Sequence, residues 1–125
     1  MDKPITTKEK ILIIDDNLIL LATIKAMLVH LGFSVKCCES GENGLLQWQS
    51  EEFDGVIVDL VLPGISGLEF LSTIGETKAI IISGEVSSDV GRSLCSKYVF
   101  IPKPFTPAQL KETLITAGLM KERKI

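Results

Sequence analysis

Val56-Ile57-Val58-Asp59 is a run of three β-branched apolar residues that ends in a carboxylate. An apolar run without polar alternation is typical of a strand covered on both faces, as in a parallel sheet with helices on each side. The turn sequence Phe53-Asp54-Gly55 precedes the run. The apolar run Val56–Asp59 therefore predicts a buried parallel strand, and such a strand indicates an α/β fold.

Four other apolar segments alternate with helical segments along the chain. They are Lys10–Asp15, Phe33–Cys38, Lys78–Ser83 and Tyr98–Ile101. This alternation predicts a doubly wound parallel sheet with helices on both faces. Five strands in one small domain favour the flavodoxin-like strand order 2-1-3-4-5.

Five helices are predicted between these strands, and capping residues mark several of their ends. Asn17 caps the first helix, which Gly32 ends, and Ser40 or Gly41 opens the second. Thr106 caps the last helix, with Pro107 at its first position. The helices are predicted at about 18–31, 41–50, 68–74, 88–96 and 107–120. The third and fourth of them are short.

The composition is that of an ordinary soluble globular domain. The 125 residues are 46% hydrophobic and 23% charged, with a net charge of −3. This charge gives no footprint for nucleic-acid binding, and the apolar runs are much shorter than the roughly 18 residues of a membrane-spanning helix. The start of the chain lacks the apolar core of a signal peptide. We therefore expect a cytoplasmic protein without direct membrane or nucleic-acid contacts, in which adjacent Cys37 and Cys38 are reduced thiols.

Reactive groups stand at the carboxyl ends of four predicted strands. The first strand ends in Asp15-Asp16, the third in Asp59 and the fourth in Ser83, while Lys103 follows the fifth. Ligands of open parallel sheets bind at these ends, and the predicted strand order makes the four strands neighbours. The sequence therefore predicts one pocket with three carboxylates, one hydroxyl and one ammonium group.

Three neighbouring carboxylates repel one another, so the predicted pocket calls for a cation. Oxygen ligands of this kind suit Mg²⁺, which needs only one or two carboxylates and keeps several waters. Lys103 and Ser83 would then be available for an anion, such as a phosphoryl group. Taken singly, Asp15-Asp16 or Asp59 could instead be helix or loop caps, and Lys103 a solvated loop charge.

From about Lys10 to Met120 the chain resembles the receiver domain of two-component response regulators. The matching segments are Ile14–Asn17, Val58–Gly67, Ile82–Gly84 and Pro102–Phe105. The resemblance implies a receiver domain over residues 10–121, with an extension at 1–9 and a tail at 122–125.

The resemblance also implies a role for each matching residue. Asp59 would accept a phosphoryl group from a phosphohistidine, on a sensor histidine kinase or a histidine phosphotransfer protein. Mg²⁺, for which Mn²⁺ could substitute, would be bound by Asp59, by Asp16 directly, by Asp15 mainly through water, and by the backbone carbonyl of Val61. Lys103 would pair with the phosphoryl group.

Ser83 and Phe100 would form the switch that reports phosphorylation. The resemblance implies that the Ser83 hydroxyl moves toward the phosphoryl group while the ring of Phe100 turns inward, and Gly84 leaves space for that group. The readout surface would comprise the helix at 88–96, the fifth strand and the last helix. Its partner would be an unidentified downstream protein, and a phosphorylation-linked dimer is a further expectation.

The chain departs from the family pattern between Gly67 and Lys103. Both the segment before Ser83 and the segment after it are short, and Gly91 weakens the helix at 88–96. Val61 and Glu85 occupy two positions that tune phosphoryl lifetime in the family, so the lifetime stays open here.

Three other functions compete with a phosphoacceptor switch. A phosphatase of the haloacid dehalogenase type needs a general acid two residues after its nucleophile, where this chain has Val61. A flavodoxin needs a phosphate-binding loop after the first strand, where Asp15-Asp16 would repel phosphate. The third alternative is a receiver-like interaction module that works without phosphorylation. His30 and Trp48 are expected to have structural roles.

Overall fold

The computed structural model describes residues 9–75, 77–84 and 98–121. They form a five-stranded parallel sheet in the order β2-β1-β3-β4-β5, which confirms the predicted flavodoxin-like topology. The strands are β1 (Lys10–Ile14), β2 (Ser34–Cys38), β3 (Gly55–Asp59), β4 (Lys78–Ser83) and β5 (Val99–Pro102). The described helices are α1 (Leu18–His30), α2 (Gly41–Ser50), α3 (Gly67–Ile74) and α4 (Pro107–Thr116).

Strand β3 is the middle strand of the sheet and pairs with β1 and β4. All five of its residues are buried, as its apolar sequence predicts. The register places Val58 beside Ile14 and Asp59 beside Ile82, and Ser83 lies beside Pro102 on β5. The carboxyl ends of β1, β3, β4 and β5 therefore meet at one edge of the sheet.

Alternate residues of the strands pack into two apolar clusters on opposite faces of the sheet. The first cluster lies under α1 and α4 and includes Ile57, Leu28 and Leu114. The second lies under α2 and α3, where Val58 shares the cluster with Phe70 and Leu71. Because both faces are covered, the interior positions of the central strands are apolar, and their charged or polar residues lie at the strand ends.

Polar caps begin the four described helices. The N-cap side chains of Asn17, Ser40, Ser66 and Thr106 accept hydrogen bonds from backbone N–H groups in the first turn of their helices. Thr106 also forms a capping box with Gln109, and Pro107 occupies the first position of α4. These caps confirm the helix starts predicted at Asn17, Ser40 and Thr106.

The prediction that the last helix continues to about Met120 was wrong, because α4 ends at Thr116. Gly118 follows with a positive φ of 80°, and the Leu119 N–H donates to the Leu114 carbonyl. Gly32 ends α1 in the same way, with φ 101°. A glycine in this conformation terminates a helix at little steric cost.

The shortness of α3 is confirmed, since it has eight residues against 13 in α1. The helix predicted around 88–96 lies outside the described residues, as do Gly91 and Glu85. Within the described part of the chain, no helix combines the length and apolar character needed to cross a membrane.

Candidate functional site

Three carboxylates meet at the carboxyl edge of the sheet, as the strand order predicts. Asp15 and Asp16 follow β1, and Asp59 ends β3. One carboxylate oxygen from each lies within 4.8 Å of the other two. Asp15 is fully buried and Asp59 is 6% exposed, whereas Asp16 faces solvent. The cluster is therefore rooted in the core and open to solvent on one side.

Lys103 brings a positive charge into this cluster. Its Nζ lies 2.7 Å from Asp59 Oδ2 and 3.2 Å from Asp15 Oδ2. The Lys103 N–H donates to the Ser83 carbonyl at 2.8 Å, which extends the pairing of β5 with β4 by one residue. The sheet therefore fixes the backbone from which the lysine reaches the two carboxylates.

Two tight turns orient the buried carboxylates. Asp15 Oδ1 accepts the N–H of Asn17 at 2.8 Å, and Asp59 Oδ1 accepts the N–H of Val61 at 3.0 Å. Each aspartate thus bonds the backbone two residues further on, which is the pattern of an Asx turn. These hydrogen bonds fix Oδ1 of each carboxylate, and Oδ2 of each carboxylate faces Lys103 Nζ.

The surroundings shift the pKa values of Asp15 and Lys103. Burial raises the pKa of Asp15, against the lowering effect of the Asn17 N–H, and the charge of Asp59 raises it further. Burial alone would lower the pKa of Lys103, but the hydrogen bond and charge of Asp59 outweigh it, so this pKa is raised. The site therefore holds Lys103 as an ammonium group and disfavours the charged form of the Asp15 carboxyl.

The donor set fits a hard divalent cation. Asp15 Oδ2 is a buried oxygen that accepts no hydrogen bond, although Lys103 Nζ lies nearby. With all three carboxylates ionised, the lysine leaves two negative charges uncompensated in the cluster. Carboxylate oxygens with room for water are the ligands that Mg²⁺ prefers. A cation would offset the repulsion and add a second positive partner near the buried Asp15 Oδ2.

The other residues predicted for the site are Ser83, Gly84, Val61 and Phe100. Ser83 is 1% exposed at the end of β4, and among the described residues a Cβ on its neighbour Gly84 would make an ordinary contact with the Lys103 side chain, at 3.9 Å. Val61 is 68% exposed just past Asp59. Phe100 on β5 is half-buried and packs against the cluster under α2 and α3.

His30 and Trp48 lie away from these carboxylates, in the settings expected for structural residues. His30 lies in the last turn of α1, where a basic group suits the partial negative charge of the helix end. Trp48 stacks on Phe53 at 5.7 Å between ring centroids and meets Phe70 edge-on at 6.5 Å.

Gly67 is a residue at the site whose role the sequence did not indicate. It opens α3, and a Cβ built on it would lie 2.2 Å from the carbonyl oxygen of Asp59. Gly67 ends the Val58–Gly67 segment that resembles the receiver family, but it directly follows the capping serine, Ser66, where most residues are acceptable. The need for glycine arises from a contact eight positions back in the sequence.

Comparisons with known proteins agree with this geometry. Residues 11–115 match the family model described as the response regulator receiver domain. The Sensory/regulatory protein RpfC of Xanthomonas campestris is 29% identical over 84% of the chain, and a probable transcriptional regulator, ycf27 of Guillardia theta, is 28% identical over 99%. The chain spans 16% of the length of the first relative and 50% of the second.

The fold also matches solved receiver structures. The CheY-like response regulator receiver domain from Methylobacillus flagellatus is 27% identical, with a TM-score of 0.78. The match covers 89% of this chain and 99% of that one. Together with the family match over most of the chain, these findings show that the chain belongs to the response regulator receiver domain family.

Proposed function

We propose that this chain is a phosphoacceptor switch in which Asp59 takes a phosphoryl group from a phosphohistidine. The observation that supports the proposal most is the contact of Asp59 Oδ2 with Lys103 Nζ at 2.7 Å, beside the carboxylates of Asp15 and Asp16. This arrangement combines a nearly buried nucleophile with a fixed positive charge and a pair of metal-binding groups. Membership of the receiver family agrees with it.

The transfer would proceed by in-line displacement at phosphorus. An oxygen of Asp59 forms a bond to phosphorus while the phosphorus–nitrogen bond of the donor histidine breaks, and the histidine nitrogen keeps the electron pair. The Val61 N–H continues to hold Asp59 Oδ1. Lys103 can follow the charge from the carboxylate to the phosphoryl oxygens, because its Nζ already lies at the reacting group.

The carboxylates are proposed to hold Mg²⁺ or Mn²⁺. Asp16 and Asp59 would bind directly, Asp15 mainly through water, and the backbone carbonyl of Val61 would complete the protein ligands. When bound, the ion would supply the positive charge that lets a phosphoryl group enter a cluster of carboxylates.

The conformational output is proposed to begin at Ser83 and Phe100. Phosphorylation adds nearly two negative charges and three acceptor oxygens at the end of β3. Ser83 ends the neighbouring strand β4, and Phe100 is half-buried on β5. Contacts that form only with the phosphoryl group would favour one of two conformations of these side chains, which is how a ligand shifts an equilibrium.

The activity is proposed to be limited to phosphorylation and dephosphorylation of Asp59 itself. The second residue after Asp59 is the apolar Val61, so no general acid stands there to act on outside substrates. The phosphoryl donor would be a sensor histidine kinase or a histidine phosphotransfer protein. The phosphorylated chain would then act on a downstream protein. A phosphorylation-linked dimer is a further proposal. One matching relative is named a sensory/regulatory protein and another a transcriptional regulator.

Acetyl phosphate tests the proposal without a partner protein. We expect the intact mass to rise by one phosphoryl group in the presence of Mg²⁺, and no rise when the metal is chelated. The Asp59→Asn variant is expected to show no gain, because its amide is not a nucleophile. An equal gain in that variant would place the modification elsewhere. No gain in the unaltered chain would favour the phosphorylation-independent interaction module.

Metal binding is expected to stabilise the folded chain. At a free Mg²⁺ concentration of 100 times the Kd, a ligand specific for the folded state adds about 2.7 kcal/mol, which raises Tm by roughly 10 °C in a domain of this size. Differential scanning fluorimetry measures the shift. Asp16→Asn is expected to lose most of it, and Glu112→Gln on the exposed face of α4 to keep it. Equal shifts in the two variants would contradict a site at Asp16.

A further inference from the structure

Gly67 lies against the backbone of the residue that is proposed to be phosphorylated. It is buried, and its N–H donates to the Leu60 carbonyl at 3.2 Å. A Cβ on Gly67 would lie 2.2 Å from the backbone carbonyl oxygen of Asp59. It would also lie 3.1 Å from the Asp59 carbonyl carbon and 3.1 Å from the Leu60 Cα. The start of α3 therefore packs directly on the peptide that joins Asp59 to Leu60.

Local backbone conformation does not explain a glycine at this position. The described glycines with positive φ are Gly32, Gly64, Gly75 and Gly118. Gly67 is not among them, and as the first residue after the Ser66 cap it could be most other amino acids. The requirement for glycine is therefore the close approach of two backbones.

The peptide that Gly67 contacts also controls the Asp59 carboxylate. On one side of it, the Leu60 N–H donates to the Ile82 carbonyl at 2.9 Å, which ties the peptide to β4. On the other side, the Val61 N–H donates to Asp59 Oδ1 at 3.0 Å. A displacement of this peptide would therefore re-aim the carboxylate and move the backbone of Val61.

The clash cannot be relieved by a change of rotamer, because the atoms in the way belong to the backbone. Helix α3 is anchored to the sheet by Phe70 and Leu71, which are 0% and 1% exposed and belong to the apolar cluster under α2 and α3. A side chain on Gly67 must therefore displace either this anchored helix or the turn that follows Asp59.

We propose that Gly67 is a positioning residue for the phosphoacceptor, since its missing side chain allows α3 to fix the Asp59–Leu60 peptide and thereby the aim of the carboxylate. The proposal rests on Asp59 being the phosphoacceptor for its effect on reaction rate. Its geometric part concerns the metal-free protein and can be tested separately.

Gly67→Ala and Gly55→Ala form a matched pair for this test. Gly55 begins the strand that Asp59 ends, and a Cβ there would lie 2.9 Å from the Lys78 carbonyl oxygen and 2.6 Å from a methyl group of Leu119. Both variants therefore add one methyl group at a crowded position. Gly67→Ala adds it against the backbone of Asp59, at the end of β3 that carries the carboxylate, and Gly55→Ala adds it against Leu119 and the Lys78 carbonyl, at the opposite end.

Two readouts separate positioning from a general loss of stability. The first is the amide proton shift of Val61 in the metal-free protein, which reports its hydrogen bond to Asp59. The second is the initial rate of phosphorylation by acetyl phosphate at saturating Mg²⁺. We expect both variants to melt at lower temperature. Only Gly67→Ala is expected to shift the Val61 amide and to slow phosphorylation, by roughly 10- to 100-fold, since small misplacements of reacting groups have effects of that size.

The outcomes distinguish the two proposals. If both variants leave the Val61 amide and the phosphorylation rate unchanged, or alter them equally, Gly67 is not a positioning residue. If the unaltered chain takes up no phosphoryl group, the proposed function fails, and the Val61 amide alone decides the role of Gly67. Should Gly67→Ala be unfolded in buffer, the same measurements are made in trimethylamine oxide, which favours the folded state.

Discussion

The Lys103→Met variant is expected to be phosphorylated by acetyl phosphate about 100-fold more slowly than the unaltered chain. In the unaltered chain, Lys103 Nζ lies 2.7 Å from Asp59 Oδ2, where charge from the incoming phosphoryl group would develop. Loss of one preorganised donor at such a position typically reduces the rate by about 10²–10³-fold. The initial rate is measured by intact mass at saturating Mg²⁺, and Lys111→Met, on the exposed face of α4, serves as the control.

The same variant is expected to bind Mg²⁺ more tightly, by roughly 30-fold, because the removed ammonium group repels a divalent cation in the cluster. This factor corresponds to about 2 kcal/mol, the interaction of a single with a double positive charge at about 4 Å under bulk-water screening. Titration of the metal, followed by calorimetry, gives the Kd. A fall in both metal affinity and rate would indicate that Lys103 supports the site's structure and does not act on the phosphoryl group.

The Phe70→Ala variant is expected to lose about 3–5 kcal/mol of unfolding free energy, a large part of the stability of a domain this size. Phe70 is fully buried in the cluster under α2 and α3, and its ring meets Trp48 edge-on. Its removal would leave a cavity between the sheet and two helices. Urea denaturation measures the change, with the m-value checked for two-state behaviour.

Leu68→Ala is the control for this substitution, because Leu68 lies on the same helix and is 39% exposed. The unfolding free energy that Leu68→Ala loses is expected to be well below the loss in Phe70→Ala. The partly exposed Leu68 side chain buries less apolar area on folding than Phe70 does. Similar losses in both variants would mean that general destabilisation of α3, and not the contact of Phe70 with the core, sets the effect.

The strands could be predicted from the sequence because burial on both faces requires continuous apolar runs. β4 lies at Lys78–Ser83 as predicted, and β1 and β3 each differ by one residue at one end. β5 begins one residue later than predicted and includes Pro102, which pairs beside Ser83. A proline is tolerated there because it is the last residue of an edge strand.

The end of the last helix was predicted wrongly because the apolar spacing continues beyond it. Leu119 is 3% exposed and packs with Leu114 in the cluster under α1 and α4, although it lies in the turn after the helix. The apolar pattern therefore reports burial and not helical conformation at this point. Gly118 was the available signal, since it follows the pattern that Gly32 sets at the end of α1.

The composition of the candidate site could be predicted from topology, since parallel strands deliver their last residues to one edge. The order β2-β1-β3-β4-β5 brings Asp15, Asp59 and Lys103 together, as expected from that rule. The full burial of Asp15 beside an exposed Asp16 depends on how the chain leaves β1. The contact of Gly67 with Asp59 is tertiary and leaves no periodic pattern in the sequence.

The central position of β3 has a consequence for how local opening is distributed through the domain. A strand paired on both sides and covered on both faces exchanges its amide hydrogens mainly through global unfolding, whereas an edge strand such as β5 can open on its own. Asp59 is therefore attached to the part of the domain that opens last. The half-buried edge strand that carries Phe100 is expected to open locally at a lower free energy, so Asp59 and Phe100 would lie in regions of different local stability.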